Sequence, residues 1–220
     1  YRRWQNKIIR IKGFSMSGII AQNSGRHTGL VKASSGGGGV WNLIETLTSD
    51  GSDSDLSFTS GIDSTYDEYV FKFINIHPET EAVDKGFFTF QGSTDGGSSY
   101  GVTITSSHFY SQHDESDSGT SLQYQGANDL AQSASFQRIS EECGNDNDQC
   151  VSGYIHFFGL SDTTFVKHFI CTANVTQRVD WSFNNFTAGY FNTTSAIDAI
   201  QFKFSHDAID AGSISLYGIS

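Results

Sequence analysis

Residues Tyr69 to Ile76 read Tyr-Val-Phe-Lys-Phe-Ile-Asn-Ile, which puts Tyr69, Phe71 and Phe73 on one side of an extended chain and Lys72 on the other. A period of two is the mark of a strand with one face on a core. Related aromatic-rich segments recur along the chain, each bounded by Gly, Asn, Asp or Ser. Strands are predicted over Trp41 to Thr48, Leu56 to Ser60, Tyr69 to Ile76 and Phe87 to Gln91, the third of them closed by His77-Pro78. More are predicted over Tyr100 to Tyr110, Val151 to Phe158, Thr164 to Val175, Trp181 to Tyr190, Ala199 to Phe204 and Gly212 to Ile219. No segment sustains an apolar period of about 3.6 residues, so helices are expected to be few and short. The pattern predicts an all-β, antiparallel two-sheet β-sandwich, jelly-roll-like, of about eight to ten strands.

Two places invite local predictions. Asp95-Gly96 lies between alternating runs and reads as a hairpin turn, since Gly tolerates the positive φ such turns require. The polar middle, residues 111 to 149, is ambiguous: Asp129 to Phe136 can form a helical turn or two, and Ile139 can already belong to a strand.

The chain is long enough for one large β domain, residues 41 to 220. Its 18 Phe, 9 Tyr and 3 Trp supply a core although only 37% of residues are hydrophobic, so the low charge fraction of 17% does not signal disorder. Residues 16 to 40, ending in Ser34-Ser35-Gly36-Gly37-Gly38-Gly39, read as a flexible N-terminal arm. Residues 1 to 15 differ again, with Arg2, Arg3, Lys7, Arg10 and Lys12 among them and the chain's one methionine, Met16, just after. They read as an upstream, non-native leader, with a short basic tail or the cropped end of a longer protein as alternatives.

A net charge of −11 disfavours a nucleic-acid grip or an anionic membrane face. Nor is any run near the ~20 apolar residues that span a bilayer. Cys143 and Cys150 enclose a small polar loop, where a disulfide is sterically possible; reduced thiols, with Cys171 a small core hydrophobe, are the alternative. Spacings of 7 and 21 residues between these cysteines make no paired zinc motif. Asp50, Asp53 and Asp55, and again Asp146 and Asp148, could offer oxygens to calcium, but neither group matches an EF-hand loop. Each reads better as a solvated turn in which Asp and Asn bond their own backbone, as does the acidic stretch His113 to Asp117. His77, His108, His113, His156 and His168 form no ligand motif. No nucleophile elbow, zincin motif or P-loop is present, and no cofactor or catalytic residue is expected. The sequons at Asn174, Asn185 and Asn192 are those expected by accident in a chain so rich in Asn, Ser and Thr.

Met16-Ser17-Gly18-Ile19-Ile20-Ala21-Gln22-Asn23 and the following Ser24 to Lys32 resemble the N-terminus of small virion-associated structural proteins of marine tailed bacteriophages. So do Gly61 to Tyr69, Phe73 to Pro78, Phe90 to Gly97, Gly144-Asn145-Asp146, Asn192 to Ala196 and Ile214 to Ile219. The resemblance implies a non-enzymatic component of the extracellular particle, anchored to other virion proteins through the arm and forming a homo-oligomer. A tail fibre or other receptor-binding appendage is expected, with capsid decoration or a head fibre as the alternative. A carbohydrate-binding module, with Trp181, Tyr100 or Tyr190 stacking on a host glycan, is a second reading, and a polysaccharide-degrading enzyme a third.

Overall fold

In the structure, a computed structural model, residues 40–80 and 86–220 are described. The leader and all of the arm but Val40 therefore lie outside the described residues.

The described chain forms β1 (Trp41–Thr48), β2 (Leu56–Phe58), β3 (Glu68–Pro78), β4 (Phe87–Ser93), β5 (Ile104–Asp114) and β6 (Thr120–Tyr124). It continues through β7 (Gln137–Glu142), β8 (Val151–Phe158), β9 (Lys167–Gln177), β10 (Trp181–Phe191), β11 (Ala199–Phe204) and β12 (Ile209–Ile219). These make two antiparallel sheets: eight strands in the order β1-β12-β3-β8-β9-β10-β5-β6, and four in the order β2-β11-β4-β7. Every strand of the smaller sheet lies in sequence between strands of the larger one, so the chain crosses from sheet to sheet repeatedly, in the manner of a jelly roll.

The core forms where the two inner faces meet. Phe71, Phe73, Phe157 and Phe169 come from the larger sheet and Phe58, Phe88, Phe90 and Phe202 from the smaller one, all buried. Their rings interdigitate at centroid distances of 5.0 Å (Phe58–Phe71), 5.2 Å (Phe71–Phe202) and 5.1 Å (Phe90–Phe169). Edge-to-face geometry dominates, as the aromatic quadrupole favours. As expected, Tyr69, Phe71 and Phe73 are buried and Lys72 exposed, but Val70 on the other face is buried too, and Asn75, at φ +52°, breaks the alternation before Ile76. At a register break between β12 and β3, Gly212 has φ +105°, and a Cβ there would lie 2.4 Å from the Asn75 carbonyl oxygen, so this close approach requires glycine.

Three local expectations are corrected. Asp95-Gly96 is not a hairpin turn: β4 and β5 belong to different sheets. Although Gly96 and Gly97 do take positive φ, the Asp95 carboxylate gathers the Ser93 hydroxyl, the Ser99 amide and the Ser99 hydroxyl, which shapes the turn as a crossover. Asp129 to Phe136 is not helical, because Ser133 exchanges backbone hydrogen bonds with Ile104 and Gln132 sits at φ +51°. The same segment lies over β4, whose Gln91 amide donates to the carbonyls of Ala134 and Ser135, and β4 is consequently buried on both faces. Finally, twelve strands form among the described residues rather than eight to ten. The additional pairing includes β6, an exposed edge strand with no buried side chain to announce it.

Candidate functional site

Because side chains alternate across a strand, the larger sheet turns a second face outward. The registers place Lys72, Tyr154, Thr172, Phe186, Phe109 and Tyr124 in one transverse row over six strands. At the usual spacing between strands that row spans about 24 Å. Aromatic side chains concentrate at its two ends.

At one end Trp41 packs edge-on against Tyr217 (5.4 Å) and His156 (6.2 Å), and the Lys72 ammonium stands 5.1 Å over the Trp41 ring. His156 also meets Tyr154 edge-on at 5.4 Å and stacks on Phe158 at 6.3 Å. Its Nδ1 is bonded to the Glu68 carboxylate, which fixes the ring plane. At the other end Phe109 and Phe186 stack at 4.9 Å, beside Tyr124 on β6. Between the ends lie Ile170 and the His168–Tyr190 pair, 5.9 Å apart. Leu122 is 73% exposed, Tyr124 64% and Ile170 54%. Large apolar side chains left open on one sheet face make it the candidate contact surface.

A buried polar cluster stands behind the Phe109 end. His108, fully enclosed, faces Thr187 Oγ1 through Nδ1 at 2.7 Å. Asn128 donates to Glu141 Oε1 at 2.6 Å, and Gln137 donates to the Asn128 carbonyl at 2.7 Å. Burial pushes the His108 imidazole down to about 4 and raises the Glu141 carboxyl. Enclosed in this way, His108 supports the sheet and is not presented to a ligand.

The residues singled out from the sequence go to different places. Tyr190 lies on the outer face, as a glycan-stacking residue would. Trp181 packs against the core, and the Tyr100 hydroxyl is buried without a hydrogen-bond partner. The carboxylates of Asp53 and Asp55 are taken up locally, Asp53 Oδ2 by Asp50 N at 2.8 Å and Asp55 by the Ser54 and Ser57 hydroxyls, while the Asp53 backbone bridges to Ile209. In the stretch His113 to Asp117, Asp114 accepts from the backbone of Ser118 and Gly119, and hydrogen bonds from Ser116 and Ser118 hold its carboxyl well below the usual range.

Asp148 lines a cavity of about 340 Å³ with His77, Asp210, Asn75 and Cys150. The His77 ring is held at both nitrogens, by Asp210 Oδ1 at 2.6 Å and the Asp146 carbonyl at 3.2 Å. Among the described residues, no group of three or more His, Cys, Asp or Glu side chains gathers as a metal site. Cys143, Cys150 and Cys171 are all free thiols in the structure, so the Cys143–Cys150 bridge is not formed. Cys143 is buried and donates to the Gly144 carbonyl, while Cys150 is half-exposed and faces Asn75. Among the described residues no helix is long and apolar enough to cross a membrane.

Sequence reasoning missed the outer face. Its residues come from all eight strands of the larger sheet, far apart in the chain, and only cross-strand register brings them together. Compared with known proteins, the chain matches no family model, no curated protein and no solved structure.

Proposed function

We propose that this chain is a non-enzymatic structural protein on the exterior of a tailed bacteriophage particle. In this reading it is a tail-fibre or receptor-binding appendage, with residues 16 to 40 as its tether to other virion proteins and the sandwich as its exposed head. The observation that carries the reading is the outer face of the larger sheet, about 24 Å of aromatic and polar side chains open to solvent on a packed two-sheet support. A rigid face of this kind loses little conformational entropy when it meets a partner. The resemblance of the segments from Met16 to Ile219 to virion-associated proteins supplies the particle. Immunogold electron microscopy with antibody raised against residues 41 to 220 tests the placement: gold at the tail tip or fibres supports the appendage, gold over the head indicates capsid decoration, and unlabelled intact particles overturn both.

A second reading is favoured by the Trp41 end of the face, where Trp41, Tyr154 and His156 adjoin Lys72 and Glu68. Flat rings beside charged hydrogen-bonding groups suit stacking on a sugar, and a host-surface glycan would then be the appendage's ligand. A glycan array probed with the purified chain tests it, and an absence of binding to every glycan removes it.

A further inference from the structure

Lys72, Arg138, Lys167, Arg178 and Lys203 are the Lys and Arg residues among those described. Lys72 stands alone on the outer face of the larger sheet, over Trp41. Lys167 is buried, its ammonium bonded to the carbonyls of Phe165 at 2.8 Å and Thr193 at 3.3 Å, and Arg178 pairs with Glu142 at 3.3 Å. The remaining two, Arg138 and Lys203, line the same cavity of about 380 Å³ on the outer side of the smaller sheet.

Their juxtaposition is set by register. Thr89 pairs with Lys203 on one side and with Arg138 on the other, so both cations rise from the face that carries Thr89, one strand to either side of it. The Thr89 hydroxyl donates to the Lys203 carbonyl at 2.8 Å and forms the cavity floor. Arg138 lies over the Phe87 ring at 3.9 Å, and Lys203 over Phe136 at 4.2 Å. Lys203 makes no ion pair with a described carboxylate. Asn128 bridges Arg138 to Glu141, accepting from Arg138 Nη1 at 3.2 Å and donating to Glu141 at 2.6 Å, and the Arg138 charge acts on the Glu141 carboxyl without a direct ion pair. Among the described residues Asn128 is the one side chain that accepts a hydrogen bond from the guanidinium, which carries five N–H donors.

We propose that this cavity binds a carboxylated saccharide unit, such as a hexuronate, with its carboxylate between Arg138 and Lys203 above Thr89. A fork of N–H donors beside an ammonium matches a carboxylate. Phe136, Leu130 and Ala127 provide apolar wall for the C–H faces of a sugar ring, and the Ser135 hydroxyl stands exposed at the rim. The cavity falls within the size range of small-ligand sites. It lies on the opposite sheet from the aromatic face, and the inference does not depend on that face binding anything.

Calorimetric titration of the full chain with oligogalacturonate, neutral galactose oligomers, inorganic phosphate and sulfate tests it. The acidic oligomer is expected to bind at least about tenfold more tightly than the neutral one, and Lys203→Gln to weaken that binding by about tenfold or more, the scale of a lost charge-assisted hydrogen bond. Arg138→Gln is expected to do the same, with the thermal midpoint of each variant checked to confirm folding. Equal binding of acidic and neutral oligomers, no binding of either, phosphate or sulfate binding as tightly as the uronate, or a folded K203Q with unchanged affinity would each overturn the proposal.

Discussion

Phe109 and Phe186 face one another across the β10–β5 ladder with centroids 4.9 Å apart and ring planes 13° from parallel, on the solvent side of the larger sheet. A stacked cross-strand pair stabilises a sheet by about 0.2–1 kcal/mol, a small return for two large rings left open to water. Replacing both with Ser is therefore expected to lower the thermal midpoint by only about 2–4 °C. Adsorption of the purified chain to host cells is expected to fall at least tenfold. A stability loss of several times that size with adsorption intact would make the pair structural.

Stability is expected to fall with pH between about 6.5 and 4. Burial depresses the His108 imidazole from 6.5 to about 4, so across that window the unfolded chain takes up a proton that the native state refuses. The contribution is complete above pH 6.5 and lost as pH falls, on the order of 2–3 kcal/mol. Glu141, with its carboxyl raised by burial, works in the opposite sense and trims the slope. Urea midpoints measured from pH 7 to pH 4 check this: His108→Gln should flatten the curve, and equal slopes in both proteins would contradict the assignment.

Phe202 meets Phe58, Phe71, Phe88 and Phe90 from the centre of the smaller sheet. Phe202→Ala is expected to destabilise by about 3–5 kcal/mol, measured by chemical denaturation, because neighbours held by two sheets cannot close the cavity. A loss below about 1 kcal/mol would mean that the sheets are not packed against each other as described.

Thiol labelling should distinguish the cysteines. Burial raises the thiol pKa of Cys143 and Cys171 and shields both, whereas Cys150 is half-exposed. One thiol per native chain is expected to react quickly, and mass mapping should place it at Cys150. Three should react in denaturant without reductant. A native chain with no reactive thiol, and only one in denaturant, would reveal a Cys143–Cys150 disulfide.

Strands that alternate against the core were legible in the sequence. Ala199–Phe204 lies where its pattern placed it, with Phe202 and Phe204 inward. β6 was not, since Thr120 to Tyr124 is an edge strand without an inward apolar series. The start of β9 shifts to Lys167 because the Asp162 carboxylate accepts from the backbone of Phe165 and holds that stretch in a turn. Neither the outer face nor the Arg138–Lys203 cavity was visible, because both depend on register between distant segments.

Mass spectrometry of gradient-purified phage particles tests the central claim most directly. Peptides from residues 41 to 220 are expected at constant stoichiometry to a known structural protein through successive purification steps. Their loss from the particles while they persist in the infected-cell lysate would contradict it.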